Sequence, residues 1–196
     1  MRDAPLDRDG VELFPQIGRT AQQRHLVLSD VPAPARLSVK VYTHLLGRTG
    51  IAFFAAPKLL KAAGLTARRA QSGFPACLAQ LPLLLPTSAS ALRPRLDAWL
   101  RQQALVPTVA AEFDDSALLK AFGREGRGVF AAPAVLAQEI AQQYQVTLLG
   151  SPADLWEEFY AISVERRISH PAVAAITAAA RSQLFTALGL AGNSPE

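Results

Sequence analysis

Cysteine is almost absent from this chain, which has one cysteine in 196 residues. A single thiol, Cys77, cannot form a disulfide within the chain and cannot supply a cysteine-rich zinc site. This usage agrees with a reducing compartment. We interpret Cys77 as a bystander thiol in a loop-like stretch rather than a reactive one.

Long apolar runs are also lacking. The longest apolar stretches, 51–60 and 74–86, are interrupted by proline, lysine and glutamine, and they fall short of the ~20 residues that a membrane-spanning helix needs. The opening segment MRDAPLDRDG is charged, and no apolar segment follows it that would serve as a signal peptide. From these two absences we predict a cytoplasmic protein with no membrane partner.

Motifs for catalysis are missing as well. No glycine-rich phosphate loop occurs, and no motif supplies a nucleophile, a base and an orienting group together. The three histidines lie beside strand or helix patterns, so we interpret them as structural or surface residues. We therefore predict that the chain is not an enzyme and has no catalytic residue and no firm metal site.

The positive charge is dispersed. The formal net charge is +4, but the arginines occur as separate pairs: Arg68 with Arg69, Arg124 with Arg127, and Arg166 with Arg167. None of these pairs lies in a helix-turn-helix pattern or an aromatic-studded strand. They indicate solvated faces rather than an independent, specific nucleic-acid site.

Half of the residues are apolar, which is enough to bury a substantial core. From Leu26 onward, short apolar runs alternate with amphipathic segments, the pattern of an α/β architecture. The predicted strands are 26–29, 37–45, 51–57, 83–86, 109–113, 128–133, 146–150 and 159–164. The first predicted helix begins near Pro94. The other predicted helices cover 114–123, which has an aspartate cap and a terminal glycine, 134–144 and 171–188. Prolines and glycines break every period within residues 1–25.

Polar residues follow several of these strands. Open α/β sheets bind ligands beyond the carboxyl ends of their strands, and this rule nominates Ser29, Asp30, Thr87, Ser88, Ser90, Asp114, Asp115 and Pro133. Two alternatives stay open at these positions. The two adjacent aspartates either cap a helix or face a ligand crevice, and residues 87–90 form either a simple cap or an anion site at a helix start.

Five stretches, read together, carry a family resemblance. They are LVLSDVPAP (26–34), YTHLLGRTGIAFFAAP (42–57), PLLLPTSASALRPRLDAWLRQQAL (82–105), EFDDSALLKAFGREGRGVFAAPAVL (112–136) and EEFYAISVERRISHPAVAAITAAARSQLF (157–185). Together they resemble the effector domain of LysR-type transcriptional regulators, in particular the branch that activates sodium/proton antiporter genes. The resemblance covers about Leu26 to Phe185.

This resemblance implies a fold. The family's effector domain is α/β, with two Rossmann-like lobes of the type II periplasmic-binding-protein kind, joined by crossing strands expected near 42–51 and 147–158. Lobe I would hold 26–45 and 159–196, lobe II would hold 46–158, and 1–25 would be a poorly matching N-terminal segment. Because the family's opening strands have no counterpart here, lobe I is expected to be incomplete at its N-terminal end.

The resemblance also implies a site in the cleft between the lobes. Its lining would be Ser29 and Asp30 from lobe I, with Thr87, Ser88, Phe113, Asp114, Asp115 and Pro133 from lobe II. The signal sensed in this branch is a sodium or lithium ion, or the accompanying alkaline stress, and no other cofactor is implied. Since hard cations prefer oxygen ligands, Asp30 and Asp114 are the candidate sodium ligands, with Asp115 a third carboxylate to test.

The implied function is effector sensing for a transcriptional activator of a sodium/proton antiporter gene, in a truncated form unable to bind DNA alone. The expected partners are a small effector and either further copies of the chain or an intact regulator in a mixed oligomer. DNA would be contacted only through a domain absent from this chain. The rival hypotheses are a stand-alone small-solute-binding protein of the same two-lobe fold and a small α/β enzyme.

Overall fold

The computed structural model describes residues 27–33 and 40–163. By their internal contacts, these residues divide into unit 1, with 27–33, 40–47 and 158–163, and unit 2, with 48–157. The predicted lobe limits stay a prediction. Residues 1–25, the predicted helix 171–188 and the first part of the predicted strand 37–45 lie outside the described residues.

Unit 1 contains an antiparallel strand pair. Strand β1 (Val27–Ser29) pairs with strand β7 (Trp156–Ser163), placing Val27 opposite Ile162 and Ser29 opposite Tyr160. The side chain of His44 joins this unit through a 3.1 Å hydrogen bond between its Nε2 and Ser163 Oγ. A structural role for this histidine therefore agrees with its contacts.

Strand β2 (Tyr42–Ala55) corrects a prediction. The sequence pattern favours two strands separated by a break at Gly47 to Gly50, whereas the structure has one strand of 14 residues. Glycine weakens a strand by only about 0.5–1 kcal/mol relative to alanine. Antiparallel pairing of Ile51 to Phe54 with strand β5 (Val129–Pro133) holds the second half of β2 in place. The strand ends at Ala55, and Pro57 begins a helix instead of closing the strand.

Unit 2 is built on a mixed sheet. Besides β2, its strands are β3 (Leu83–Pro86), β4 (Val109–Phe113), β5 (Val129–Pro133) and β6 (Thr147–Gly150). Strand β3 runs parallel to both β4 and β5, and β2 runs antiparallel to β5 and β6. The predicted α/β class is confirmed, and the predicted strands 83–86, 109–113, 128–133 and 146–150 each have bounds within one residue of an observed strand.

Helices cover both faces of this sheet. They are α1 (Pro57–Ala62), α2 (Ala67–Ser72), α3 (Leu92–Gln102), α4 (Ser116–Arg124) and α5 (Ala137–Tyr144), with 3₁₀ turns at Ala76–Gln80 and Ala134–Leu136. Phe53 and Leu83 point into the core beneath α1, α2 and α3, while Phe54 and Leu84 point into the core beneath α4 and α5. This two-sided burial explains the nearly continuous apolar runs of these strands. Across residues 27–33 and 40–163, no helix has the length and apolar character to cross a bilayer.

The end of α4 corrects a second prediction. Gly123 was expected to terminate the helix, but α4 continues to Arg124 and is capped by Glu125. Gly123 lies inside the last turn, at a position where an added Cβ atom would be only 2.2 Å from Cδ1 of Phe130. The glycine therefore serves close packing between helix and sheet rather than termination.

Candidate functional site

The carboxyl ends of three strands of unit 2 meet at one edge of the sheet. Strands β3, β4 and β5 are parallel, and Pro86 pairs with Phe113 in the register of β3 and β4. The residues that follow these strands therefore begin at the same edge. Thr87 and Asp114, which the sequence pattern nominates, belong to this set, and Pro133, also nominated, is the last residue of β5.

Two of these residues contact each other directly. The Thr87 hydroxyl donates a short hydrogen bond to Asp114 Oδ1, and the Thr87 backbone N–H donates to the Phe113 carbonyl at 3.0 Å. Thr87 is half-buried and Asp114 is exposed. The structure thus brings together three predicted site residues, with a hydroxyl and a carboxylate accessible at the sheet edge.

Asp115 has a different role from its neighbour. Its Oδ1 accepts hydrogen bonds from the backbone N–H groups of Ala117 at 2.6 Å and Leu118 at 3.0 Å, which makes it the N-cap of α4. These bonds, that of Leu118 first, hold the pKa of the Asp115 carboxyl below its usual value. Of the two interpretations left open for the aspartates, capping is therefore confirmed for Asp115, while Asp114 does not cap.

The loop between β3 and α3 contains the two predicted serines. Ser90 Oγ accepts from the Leu92 backbone N–H at 3.2 Å, so this serine supports the first turn of α3. Ser88 is exposed, and its part in effector binding stays a prediction. Pro94 lies in the first turn of α3, as the sequence indicates.

The end of β5 is held by a residue that sequence reasoning missed. Thr49 is fully buried, and its Oγ1 accepts from the Val135 backbone N–H and donates to the Gly50 carbonyl, both at 3.1 Å. This hydroxyl fixes the chain two residues beyond Pro133. The signal was obscured because Thr49 lies between glycines in a segment that resembles a turn.

Arg93 is a second residue that the sequence did not reveal. Its Nη1 donates to the Pro86 carbonyl at 2.8 Å and lies 2.7 Å from Glu112 Oε1, and its Nε lies 3.0 Å from Asp97 Oδ1. The hydrogen bond with Glu112 contributes most to raising the pKa of Arg93 above its ordinary value. No motif marks this arginine, because its partners lie on two different strands and on its own helix.

Ser29 and Asp30 belong to unit 1. Ser29 Oγ accepts from the Val31 backbone N–H at 3.1 Å, which shapes the turn after β1. Asp30 is half-buried in this turn. Whether these two residues share a site with those of unit 2 stays a prediction.

Trp156 packs against two arginine side chains. It is half-buried, and the guanidinium carbons of Arg48 and Arg95 lie 4.1 and 4.0 Å from its ring centroid. At these distances both guanidinium groups are in cation–π contact with the indole. Trp99, by contrast, is buried, with its Nε1 donating to Asp154 at 3.1 Å.

Comparison with known proteins identifies the family. Residues 41–184 match the LysR substrate binding domain. The chain belongs to the LysR family. Over 161 residues it is 32% identical to the transcriptional activator protein NhaR of Escherichia coli (strain K12), a match that covers 82% of this chain and 50% of that protein. The chain thus spans about half the length of the curated relatives it matches.

Solved structures agree on the fold. The regulatory domain of HypT from Salmonella typhimurium has a TM-score of 0.55 at 20% identity, over 93% of this chain and 81% of that one. The AmpR effector binding domain from Citrobacter freundii has a TM-score of 0.56 at 16% identity, over 84% and 76%. The effector binding domain of QuiR in complex with shikimate has a TM-score of 0.54 at 14% identity, over 86% and 76%.

These matches confirm the predicted family and the predicted two-lobe fold class of LysR effector domains. The chain carries the effector-binding domain of a transcriptional regulator, and the family is regulatory rather than catalytic. Among residues 27–33 and 40–163, no three histidine, cysteine or acidic side chains form a metal-holding group.

Proposed function

We propose that this chain is the sensing domain of an activator of a sodium/proton antiporter gene, and that its effector is a sodium or lithium ion. The observation that carries the proposal is the 32% identity to the E. coli transcriptional activator NhaR over 161 residues. That match includes most of the region assigned to the substrate binding domain. The sensing step, rather than DNA recognition, is therefore the activity to test in this chain.

The sheet edge of unit 2 offers suitable atoms for such an ion. Hard cations take oxygen ligands, and Thr87 and Asp114 place a hydroxyl and a carboxylate in direct contact. Asp115 is the weaker candidate because its Oδ1 already accepts two backbone hydrogen bonds. In this proposal Asp114 is the main ligand, and Asp30 is a further candidate carboxylate.

Sensing would follow from differential binding. An ion that binds one arrangement of the two lobes better than another shifts their equilibrium by the difference in binding free energy. Contacts between copies of the regulator in the cytoplasm would transmit this shift to DNA-reading domains outside residues 41–184. The chain's oligomeric partners are further copies of itself or of an intact regulator.

Thermal unfolding in matched salts tests the effector. At a sodium or lithium concentration ten times the Kd, binding stabilises the fold by about 1.4 kcal/mol, so the Tm rises by roughly 3–6 °C relative to potassium at equal ionic strength. Asp114→Asn removes this increment. Asp115→Asn is the matched control, because it weakens a helix cap and keeps the increment. Identical wild-type melting curves in all three salts refute the ion.

A small organic effector is the second candidate. It is favoured by two domains of the same fold, the QuiR domain in complex with shikimate and the Synechocystis CcmR regulatory domain in complex with 2-PG. The same melting assay, run in potassium chloride with a panel of small organic acids, separates the two candidates. A Tm increase with an organic acid and none with sodium or lithium would show that the effector is a small organic molecule and not an ion.

A further inference from the structure

One guanidinium group connects three elements beside the candidate site. Arg93, in the first turn of α3, bonds through Nη1 to the Pro86 carbonyl at the end of β3 and to Glu112 Oε1 on β4, at 2.8 and 2.7 Å. Its Nε bonds to both carboxylate oxygens of Asp97, one turn further along α3, at 3.0 and 3.1 Å. The arginine side chain is 18% exposed, so these contacts are partly shielded from water.

The two strand positions that Arg93 holds lie next to the site. Pro86 immediately precedes Thr87, and Glu112 lies two residues before Asp114. Thr87 and Asp114 are the residues whose side chains bond to each other. The guanidinium therefore fixes the segments that set the spacing between the Thr87 hydroxyl and the Asp114 carboxylate.

The pair with Asp97 alone does not explain this arrangement. An (i, i+4) pair on a helix surface contributes only about 0.2–0.5 kcal/mol and needs no contact with the sheet. Here the same side chain also donates to a backbone carbonyl of β3 and to a carboxylate of β4. A rigid, planar guanidinium group with five N–H donors can make all of these hydrogen bonds at once. A lysine ammonium, a compact point charge on a flexible stem, cannot reproduce that fork.

We propose that Arg93 is a positioning residue that sets the geometry between Thr87 and Asp114 and thereby the affinity of the effector site. The role in affinity rests on the proposed function, whereas the role in geometry does not. Arg93 acts through the two strand ends and does not itself contact the ion.

Amide hydrogen exchange tests the geometry in the full chain without any ligand. In Arg93→Lys, the Thr87 amide, which donates to the Phe113 carbonyl, is expected to exchange about tenfold faster. The Ala117 amide, held by Asp115, is expected to keep its rate. Glu112→Gln, which weakens one arm of the contact, is expected to give an intermediate acceleration at Thr87. Arg101→Lys, in the exposed last turn of the same helix, is the matched control and changes neither amide.

An unchanged exchange rate of the Thr87 amide in Arg93→Lys overturns the proposal. Equal acceleration at Thr87 and Ala117 also overturns it, because that pattern means that the whole domain has been destabilised. The role in affinity is tested by the increase in Tm in sodium chloride relative to potassium chloride. Arg93→Lys is expected to lose most of the increase seen in the wild type, and Arg101→Lys is expected to keep it. A lower Tm for Arg93→Lys with the full increment means a purely structural residue and refutes the role in affinity. If the wild type itself shows no increment, the sodium effector fails, and amide exchange alone decides the role of Arg93.

Discussion

Gly123→Ala is a sharp test of the packing between α4 and the sheet. An ideal Cβ at this position would lie 2.2 Å from Cδ1 and 2.5 Å from Cε1 of Phe130. Carbon atoms in contact normally lie about 3.5–4.0 Å apart, so the ring or the helix would have to move by more than ~1 Å. Phe130 is 1% exposed and stacks on Phe54 with ring centroids 5.4 Å apart, which leaves little room for that movement.

Two effects of opposite sign decide the magnitude. Replacing glycine by alanine inside a helix gains about 1 kcal/mol of propensity. Inserting a methyl group into a filled core costs about 1–3 kcal/mol, and an overlap of this size belongs at the upper end. We therefore expect a net loss of about 2 kcal/mol in the free energy of unfolding. For a chain of this length the Tm then falls by roughly 4–8 °C.

Thermal and urea unfolding followed by far-UV circular dichroism measure this loss. The matched control is Ala121→Gly on the exposed side of the same helix. That control loses only propensity, about 1 kcal/mol, and so lies between the wild type and Gly123→Ala.

A Gly123→Ala variant as stable as the wild type would refute the packing argument, because propensity would then dominate. A double-mutant cycle sharpens the conclusion. In a Phe130→Leu background the alanine methyl meets a smaller side chain, so Gly123→Ala is expected to cost at least about 1 kcal/mol less there. Additive effects of the two substitutions would show that the Phe130 ring is not what excludes a Cβ at this position.

Two further predictions concern titratable groups. Because cap hydrogen bonds lower the pKa of Asp115 below its ordinary value of 3.8, its charge stabilises the fold above that pH and loses this effect as the pH falls through the folded pKa. Asp115→Asn should thus be less stable than the wild type at pH 6, with the gap closing below pH 3.8; a gap constant from pH 6 to pH 3 in urea unfolding would contradict the charged cap. Burial raises the pKa of the Cys77 thiol, so an aromatic disulfide reagent at pH 8 should react roughly 100-fold or more slowly with the native chain than with the chain in guanidinium, and equal rates would show an exposed thiol.

Local patterns in the sequence predicted much of unit 2. The strands 83–86 and 109–113 were found without error because each apolar run ends at a proline or at aspartates. The helices α1 and α2 were missed, since each has only six residues and their apolar positions merge into neighbouring runs. The break expected at Gly47 to Gly50 is absent from the structure. Strand pairing joins residues that are distant in sequence, and here it outweighs the low strand preference of glycine.

The candidate site was predictable only in part. Thr87 and Asp114 were nominated by their position after strands, and their contact follows from the parallel pairing of β3 and β4. Thr49 and Arg93 were not, because a buried hydroxyl and a shared guanidinium have no sequence period. Their roles depend on which strand ends become neighbours, and that is a property of topology rather than of local sequence.

The stack on Trp156 has an optical consequence. The chain has two tryptophans, and their surroundings differ in kind: Trp99 lies in an apolar cluster with Phe53 and Phe74, while Trp156 is half-buried in contact with two cations. Indole emission shifts to longer wavelength as the surroundings become more polar. We therefore expect Trp156 to emit at longer wavelength than Trp99. Light collected at the blue edge reports on the interior of unit 2, and light at the red edge reports on the first residue of β7.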